Sequence, residues 1–299
     1  MYVVAGATGN TGKVVATTLL GRGAKVRVIG RNADRLQAFV AQGAELCVTS
    51  LTEVSSMVKA FSGARAAYLM MPPNFTTPDY RSFQDGVTET LAAALRSSAI
   101  THVVTLSSIG ADKPDRTGPV LGLHQLEQQL NYINGLHVLH LRAGYFMENT
   151  LAQVGVIQKM GLTLGPLHPD LKLPMVTTRD IGAFAAEALL RQDFQEKQTR
   201  EVLGQRDISM SEVAGIIGKA IGNPSLRYLQ APEEQMREAL IELGLSSDMA
   251  NLILQMSAAL NSGHMRALEP RSVQNTTPTS YEKFVMEEFM PRYEGKSAA

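Results

Sequence analysis

The sequence predicts an α/β fold: a mostly parallel sheet flanked by helices, with a smaller, mainly helical lobe toward the C-terminus. Two observations predict it. Met1–Ala5 is an apolar run of strand type that opens directly into Gly6-Ala7-Thr8-Gly9-Asn10-Thr11-Gly12, after which Lys13–Leu20 reads as a helix. A second strand, Lys25–Ile29, follows at βαβ distance, and strand and helix patterns keep alternating to residue 150.

The first turn carries a function as well as a fold. Strand, glycine turn and helix in that order form a phosphate cradle. Gly6 permits the tight turn, Gly9 lets the backbone approach a pyrophosphate, and Gly12 packs helix on strand. Thr8, Asn10 and Thr11 complete the loop, where free N–H groups and the positive helix end hold an anion. The architecture is therefore a Rossmann-type doubly wound sheet over residues 1–150. Residues 151–299 form the smaller substrate or partner lobe, of which about 175–205 return to the sheet.

Composition narrows the function. With 28 basic and 28 acidic residues the net charge is zero, so direct nucleic-acid binding and attraction to anionic membranes are not expected. The single cysteine, Cys47, cannot form an internal disulfide, which suits a reducing, cytoplasmic setting. Met1 leads straight into a strand, so no signal peptide is expected, and no apolar run approaches the ~20 residues of a membrane helix.

The elements follow in order. The second strand ends in Gly30-Arg31-Asn32, with Arg35 one turn on. An acid here would suit the ribose of NAD; a cation suits the 2′-phosphate of NADP, because the guanidinium fork matches phosphate geometry. NADPH is thus expected to be preferred over NADH. Asn32–Gln42 reads as a helix capped by Asn32, Glu45–Val48 as a third strand and Leu51–Phe61 as a helix. Ala66–Met70 is a buried fourth strand running into Met71-Pro72-Pro73, a fixed turn at a strand's carboxyl end, where ligands lie in such sheets. Asp79–Ser98 is a long helix, His102–Leu106 the fifth strand, Val120–Leu130 a helix and His137–Arg142 the sixth strand. His137 and His140 fall on opposite faces of that strand and do not read as a metal pair. Farther on, the chain predicts helices at Leu151–Met160, Thr178–Leu190, Pro232–Leu243 and Ser246–Leu260, and short strands at Glu201–Leu203 and Leu226–Leu229. Gly161–Met175 reads as a punctuated loop with room for a short strand. Ser209-x-x-Glu212 and Thr279-x-x-Glu282 read as helix caps, Asp180 as an acid favouring its helix N-terminus, and the Met249, Leu252, Met256, Leu260 stripe as core.

Four stretches resemble the NmrA-like group of the atypical short-chain dehydrogenase/reductase superfamily. They are Gly6–Gly12 with its GxxGxxG spacing, Leu106–Ala111 (LSSIGA), the His-x-x-Glu of His124–Glu127, and Leu141–Asn149 (LR-x-G-x-F-x-E-N). The resemblance implies that Ser107 or Ser108 faces the nicotinamide and that Tyr145 and Phe146 wall its pocket. Residue by residue, a turn hydroxyl bonding its own backbone is the other reading of the serines, and core packing that of Phe146. His124 either points at the nicotinamide pocket or is a core or rim histidine bonded to backbone. Glu127, Glu148 and Asn149 read as structural. Two departures stand out. Thr49-Ser50-Leu51 lacks the family's acidic residue after the third strand, which puts an adenine contact in doubt. The helix at Val120–Leu130 also lacks the Tyr-x-x-x-Lys pair that tunes a phenol for proton transfer.

Two functions follow. One is an NADPH-dependent reductase of a small electron-poor acceptor such as a quinone or azo compound, with His124 and Ser107 as catalytic candidates. The other is a non-catalytic NADP(H) sensor acting through a protein partner, as monomer or homodimer. A hydrolase built on Ser108, His124 and Asp112 lacks a Gly-x-Ser-x-Gly elbow.

Overall fold

The structure is a computed structural model describing residues 1–296; residues 297–299, the end of the expected lobe, lie outside the described residues. The chain runs β1 (Tyr2–Ala5), α1 (Asn10–Gly21), β2 (Val26–Gly30), α2 (Gln37–Val40), β3 (Glu45–Val48), α3 (Val54–Phe61), β4 (Ala66–Leu69), α4 (Tyr80–Arg96), β5 (His102–Ser108), α5 (Val120–Asn131) and β6 (His137–Ala143). It continues through β7 (Tyr145–Phe146), α6 (Gln153–Met160), β8 (Thr163–Gly165), β9 (Leu173–Val176), α7 (Thr178–Arg191), β10 (Lys197–Val202), β11 (Asp207–Ile208), α8 (Met210–Ala220) and β12 (Tyr228–Gln230). Then come α9 (Glu233–Glu242), α10 (Ser247–Asn261), α11 (Tyr281–Phe284) and α12 (Met290–Tyr293), the last two joined by a π-turn at Val285–Phe289.

Seven strands form one sheet in the order β10-β6-β5-β4-β1-β2-β3. Every pairing in it is parallel. Parallel strands buried on both faces read as continuous apolar runs, as β1 and β4 do, each fully buried. The order reverses between β1 and β4, which opens a crevice at their carboxyl ends. Tyr68, Val104, Leu141 and Ile181 belong to the core on one face of the sheet, and Phe61, Leu69, Leu91 and Leu126 to that on the other. A third core gathers Ile109, Met175, Ile217, Tyr281 and Phe289 beneath the C-terminal elements. There β7, β9 and β11 make a small sheet and β8 pairs with β12.

Several expectations need correction. Asn32–Gln42 is a 3-10 turn at Asp34–Leu36 followed by the four-residue α2. Asn32 does cap the turn, accepting from the Arg35 N–H at 3.1 Å. Gly43, at φ +92°, ends the segment before a longer helix can form. The helix read at Leu51–Phe61 begins only at Val54, and the one at Leu151–Met160 starts as a 3-10 turn at Met147–Ala152. Glu201–Leu203 proves to be the longer edge strand β10, whose outer half is polar and so escapes an apolar pattern. Ser209 and Glu212 form a reciprocal capping box. Thr279, however, caps nothing: its N–H and Oγ1 donate to Asp180 at 3.0 and 2.7 Å, and Ser280 caps α11 instead.

Candidate functional site

The glycine turn sits at the reversal of the sheet. Gly6 adopts φ +64°, and the Gly9 N–H donates to its carbonyl at 2.8 Å. A Cβ on Gly12 would overlap the Gly6 carbonyl oxygen, so α1 packs closer than any side chain permits. Gly9 caps α1 without a side-chain acceptor, leaving the first helical donors, at Asn10, Thr11 and Gly12, without a capping partner. These orphan N–H groups, at a positive helix end beside a crevice, fit a pyrophosphate. The Thr11 hydroxyl is turned inward, where it accepts from Tyr68 at 2.8 Å, so only its backbone faces the turn.

Arg31 and Arg35 are both exposed at the end of β2. Arg35 reaches back to donate to the Thr8 carbonyl at 3.3 Å, which lays its guanidinium against the turn. Arg31 makes no side-chain hydrogen bond or ion pair among the described residues. Neither cation is neutralised by an acid, so both are available to an anionic ligand.

Beyond the turn, a cleft of about 280 Å³ opens at the carboxyl end of β5. Leu106, Ser107, Ser108 and Ile109 supply one wall, and Gly144, Tyr145, Phe146 and Asn149 another. Tyr80 and Gln84 enter from α4, Pro119, Val120 and Leu123 from the start of α5, and Met71 from beyond β4. Met256 and Leu260 of α10, with Met265, cover the far side. Among the described residues, no Asp, Glu, Lys, Arg or His lines it. Burial pushes the Tyr145 phenol up to about 12, against a hydrogen bond to Asn149 that pulls it down. Burial likewise raises the Tyr80 phenol, partly offset by Arg81. The cleft wall is therefore neutral at physiological pH.

Ser107 and Ser108 differ sharply. Ser107 is 3% exposed and donates to Glu127 Oε1 at 2.6 Å. Glu127, 2% exposed, is gripped by Arg142, whose Nε and Nη2 donate at 3.0 and 2.6 Å. With its proton held by a carboxylate, the Ser107 hydroxyl has only lone pairs left to offer the cleft. Ser108 donates to the Ile109 carbonyl at 3.0 Å, the local turn bond.

His124 is not brought to the cleft. Its Nδ1 lies 2.8 Å from the Ala111 carbonyl and donates to it, tying α5 to the loop after β5, while its neighbours Val120 and Leu123 form the wall. Pro72 is half-buried behind Met71 and is not part of the wall either. Glu148 accepts from the Thr178 N–H and hydroxyl at 2.8 and 2.5 Å, so it caps α7. Tyr80 and Gln84 escape sequence reasoning, although their four-residue spacing at a helix start sets them on one face. Met256 and Leu260, read as core, line the cleft.

Comparison with known proteins fits this geometry. The model of the NmrA-like family matches residues 2–290. A (4-alkanoyl-5-oxo-2,5-dihydrofuran-3-yl)methyl phosphate reductase of Streptomyces griseus is 27% identical, with 93% of each chain covered. Among solved structures, an NADPH-dependent quinone oxidoreductase of Escherichia coli in complex with NADPH superposes with a TM-score of 0.76 at 20% identity, covering 97% of this chain and 100% of that one. The triphenylmethane reductase of Citrobacter sp. in complex with NADP(H) gives 0.81 at 18% identity, covering 96% and 99%.

Proposed function

The chain belongs to the NmrA-like family, and on that premise we propose that it is an NADPH-dependent reductase of a neutral, electron-poor ring, with a quinone as the type acceptor. The observation that carries this reading is the cleft: it opens at the carboxyl end of β5, its wall is largely apolar, and no charged side chain among the described residues lines it. A phosphate-bearing acceptor of the kind named for the Streptomyces relative would find no cation there.

Bound NADPH supplies the hydride. The free backbone amides of Asn10, Thr11 and Gly12 would hold its pyrophosphate, and Arg31 and Arg35 its 2′-phosphate. Ser107, acceptor-only toward the cleft, receives an N–H such as that of a carboxamide. Met71, Tyr145 and Phe146 wall the ring, and Met256 and Leu260 exclude water from above the acceptor. Because both phenols are pushed up and His124 stands outside, no side chain in the wall is poised to exchange a proton near neutrality. Quinones tolerate this, since their reduced charge is delocalised and solvent can protonate it. Holding acceptor against donor in register can supply several kcal/mol without acid catalysis.

An NADPH oxidation assay across quinones, azo dyes, aldehydes and simple ketones tests the proposal. Quinones should turn over and ketones should not. Brisk alcohol oxidation with NADP⁺ would contradict it by implying an acid–base pair. Tight NADPH binding with no turnover of any acceptor would instead favour the sensor reading.

A further inference from the structure

Of the four hydroxyls in the cleft wall, three are engaged. Ser107 donates to Glu127, Ser108 donates to the Ile109 carbonyl, and the Tyr145 phenol is hydrogen-bonded to Asn149. The Tyr80 phenol has no partner among the described residues, yet it is not one of the polar atoms sealed from water. Tyr80 is 5% exposed, and the open space that it lines is the cleft. The side chain is also held. Tyr80 is the first residue of α4, its N–H donates to Asp248 of α10 at 2.8 Å, and its ring packs on Phe83 with centroids 5.9 Å apart. Burial raises the phenol, so it keeps its proton at physiological pH and meets the cleft as a donor.

We propose that Tyr80 is an acceptor-binding residue, its hydroxyl donating a hydrogen bond to a carbonyl oxygen of the bound ring. This rests on the cleft being the acceptor site of a reductase. In the free protein water satisfies the hydroxyl. A ligand that displaces this water and brings no acceptor atom leaves the donor buried and unpaired, which is what makes such a group selective. A carboxylate or phosphate would also accept from it, but would enter a cleft with no cation in its wall among the described residues. A neutral carbonyl fits. In the transfer the quinone gains the hydride that NADPH gives up in becoming NADP⁺, takes one proton from solvent, and becomes the quinol. Tyr80 keeps its own proton. Its hydrogen bond strengthens as negative charge gathers on the oxygen, so the hydroxyl serves both the binding and the reduction of the ring.

The test is Tyr80→Phe, which keeps the ring and removes only the hydroxyl. The NADP⁺-loaded protein is titrated with 2-acetylnaphthalene, which carries a carbonyl, and with 2-isopropenylnaphthalene, the same shape with a methylene carbon in place of the oxygen. The preference for the ketone should fall about five- to tenfold from wild type to variant. An unchanged preference in the folded variant, or binding of neither probe by the wild type, would overturn the assignment. Should the variant fail to fold, the wild type decides alone. The carbonyl stretch of its bound ketone should lie below the frequency in an apolar solvent, and an unshifted band would equally overturn the assignment. In turnover, kcat/KM for a quinone should fall about tenfold in Tyr80→Phe while NADPH affinity holds. Equal kcat/KM in wild type and folded variant would remove Tyr80 and leave the reductase reading standing. A ketone preference lost in Tyr80→Phe, in a protein that reduces no quinone, would uphold Tyr80 and remove only the reductase reading.

Discussion

At the scale of single residues, Gly9 and Gly12 share a motif and differ in what a side chain would do. Gly9 has extended backbone, φ −87° and ψ 169°, and a Cβ there would meet only the Gly6 oxygen at 3.3 Å. Gly9→Val should therefore fold, yet stand a branched side chain where a pyrophosphate approaches the turn. Calorimetric titration should find NADPH affinity lost with little change in Tm. At Gly12 the overlap is with the turn's own backbone at Gly6, so Gly12→Ala should lower stability by ~1–3 kcal/mol as the turn shifts, seen in thermal unfolding. Near-normal NADPH affinity in folded Gly9→Val would show that the turn is no nucleotide site. A second contrast lies at β2: Arg31→Ala and Arg35→Ala should each cost about tenfold or more in NADPH affinity and leave NADH unchanged, as measured by parallel titrations. Spacing made these residues legible, because a glycine motif and a basic strand end act through local backbone. The Ser107 hydroxyl was not legible. Its direction is set by Glu127, twenty residues on, which is itself held by Arg142 from the neighbouring strand.

At the scale of elements, α10 makes the cleft a cleft. It is pinned at two points: Asp248 accepts the Tyr80 N–H at 2.8 Å, and Gln255 accepts the Gly118 N–H at 3.0 Å. Gly118 sits at φ +58°, and a Cβ there would overlap the Leu252 carbonyl. Gly118→Ala should push α10 outward, costing ~1–3 kcal/mol of stability. With Met256 and Leu260 displaced, the KM for the acceptor should rise while NADPH affinity holds, because the glycine turn lies elsewhere. Steady-state kinetics beside cofactor titration would separate the two, and an unchanged KM would deny α10 its part in the wall. Sequence periodicity gave the helix nearly to the residue, Ser246–Leu260 against Ser247–Asn261. It could not say which apolar residues face a core and which face a cavity, since both are buried alike. Thr279 was misread for a similar reason: a capping box is a local pattern, but Asp180 reaches it from α7 and takes both its donors.

At the scale of the whole molecule, the sheet was the legible part, because fully buried parallel strands need apolar runs that stand out between helices. The C-terminal arrangement was not, since its short strands carry too few residues for a period and pair across distant segments. The sheet also hides a titrating group that ties global stability to pH. His140, on β6 between the edge strand β10 and β5, is 1% exposed. Burial depresses its pKa from 6.5 to about 4; Glu127 pulls it up, while Arg142 and Lys197 push it down. The neutral ring is satisfied on both sides. Nε2 donates to Asn131 Oδ1 at 3.1 Å, and Nδ1 accepts from the Thr105 hydroxyl at 2.7 Å. Below pH 6.5 the unfolded chain takes up a proton here that the folded chain refuses. The stabilisation is therefore full above pH 6.5 and is lost as pH falls toward 4, to a total of about 3 kcal/mol. Two carboxylates act with opposite sign, because burial raises Glu148 and Glu201. The measurement is accordingly a difference. Denaturant unfolding of wild type and of His140→Gln, which keeps a donor for Asn131, should give stability curves that converge as pH drops from 7 to 4. Curves that stay parallel across that range would mean that His140 binds its proton equally in both states, and that this part of β6 is open to water.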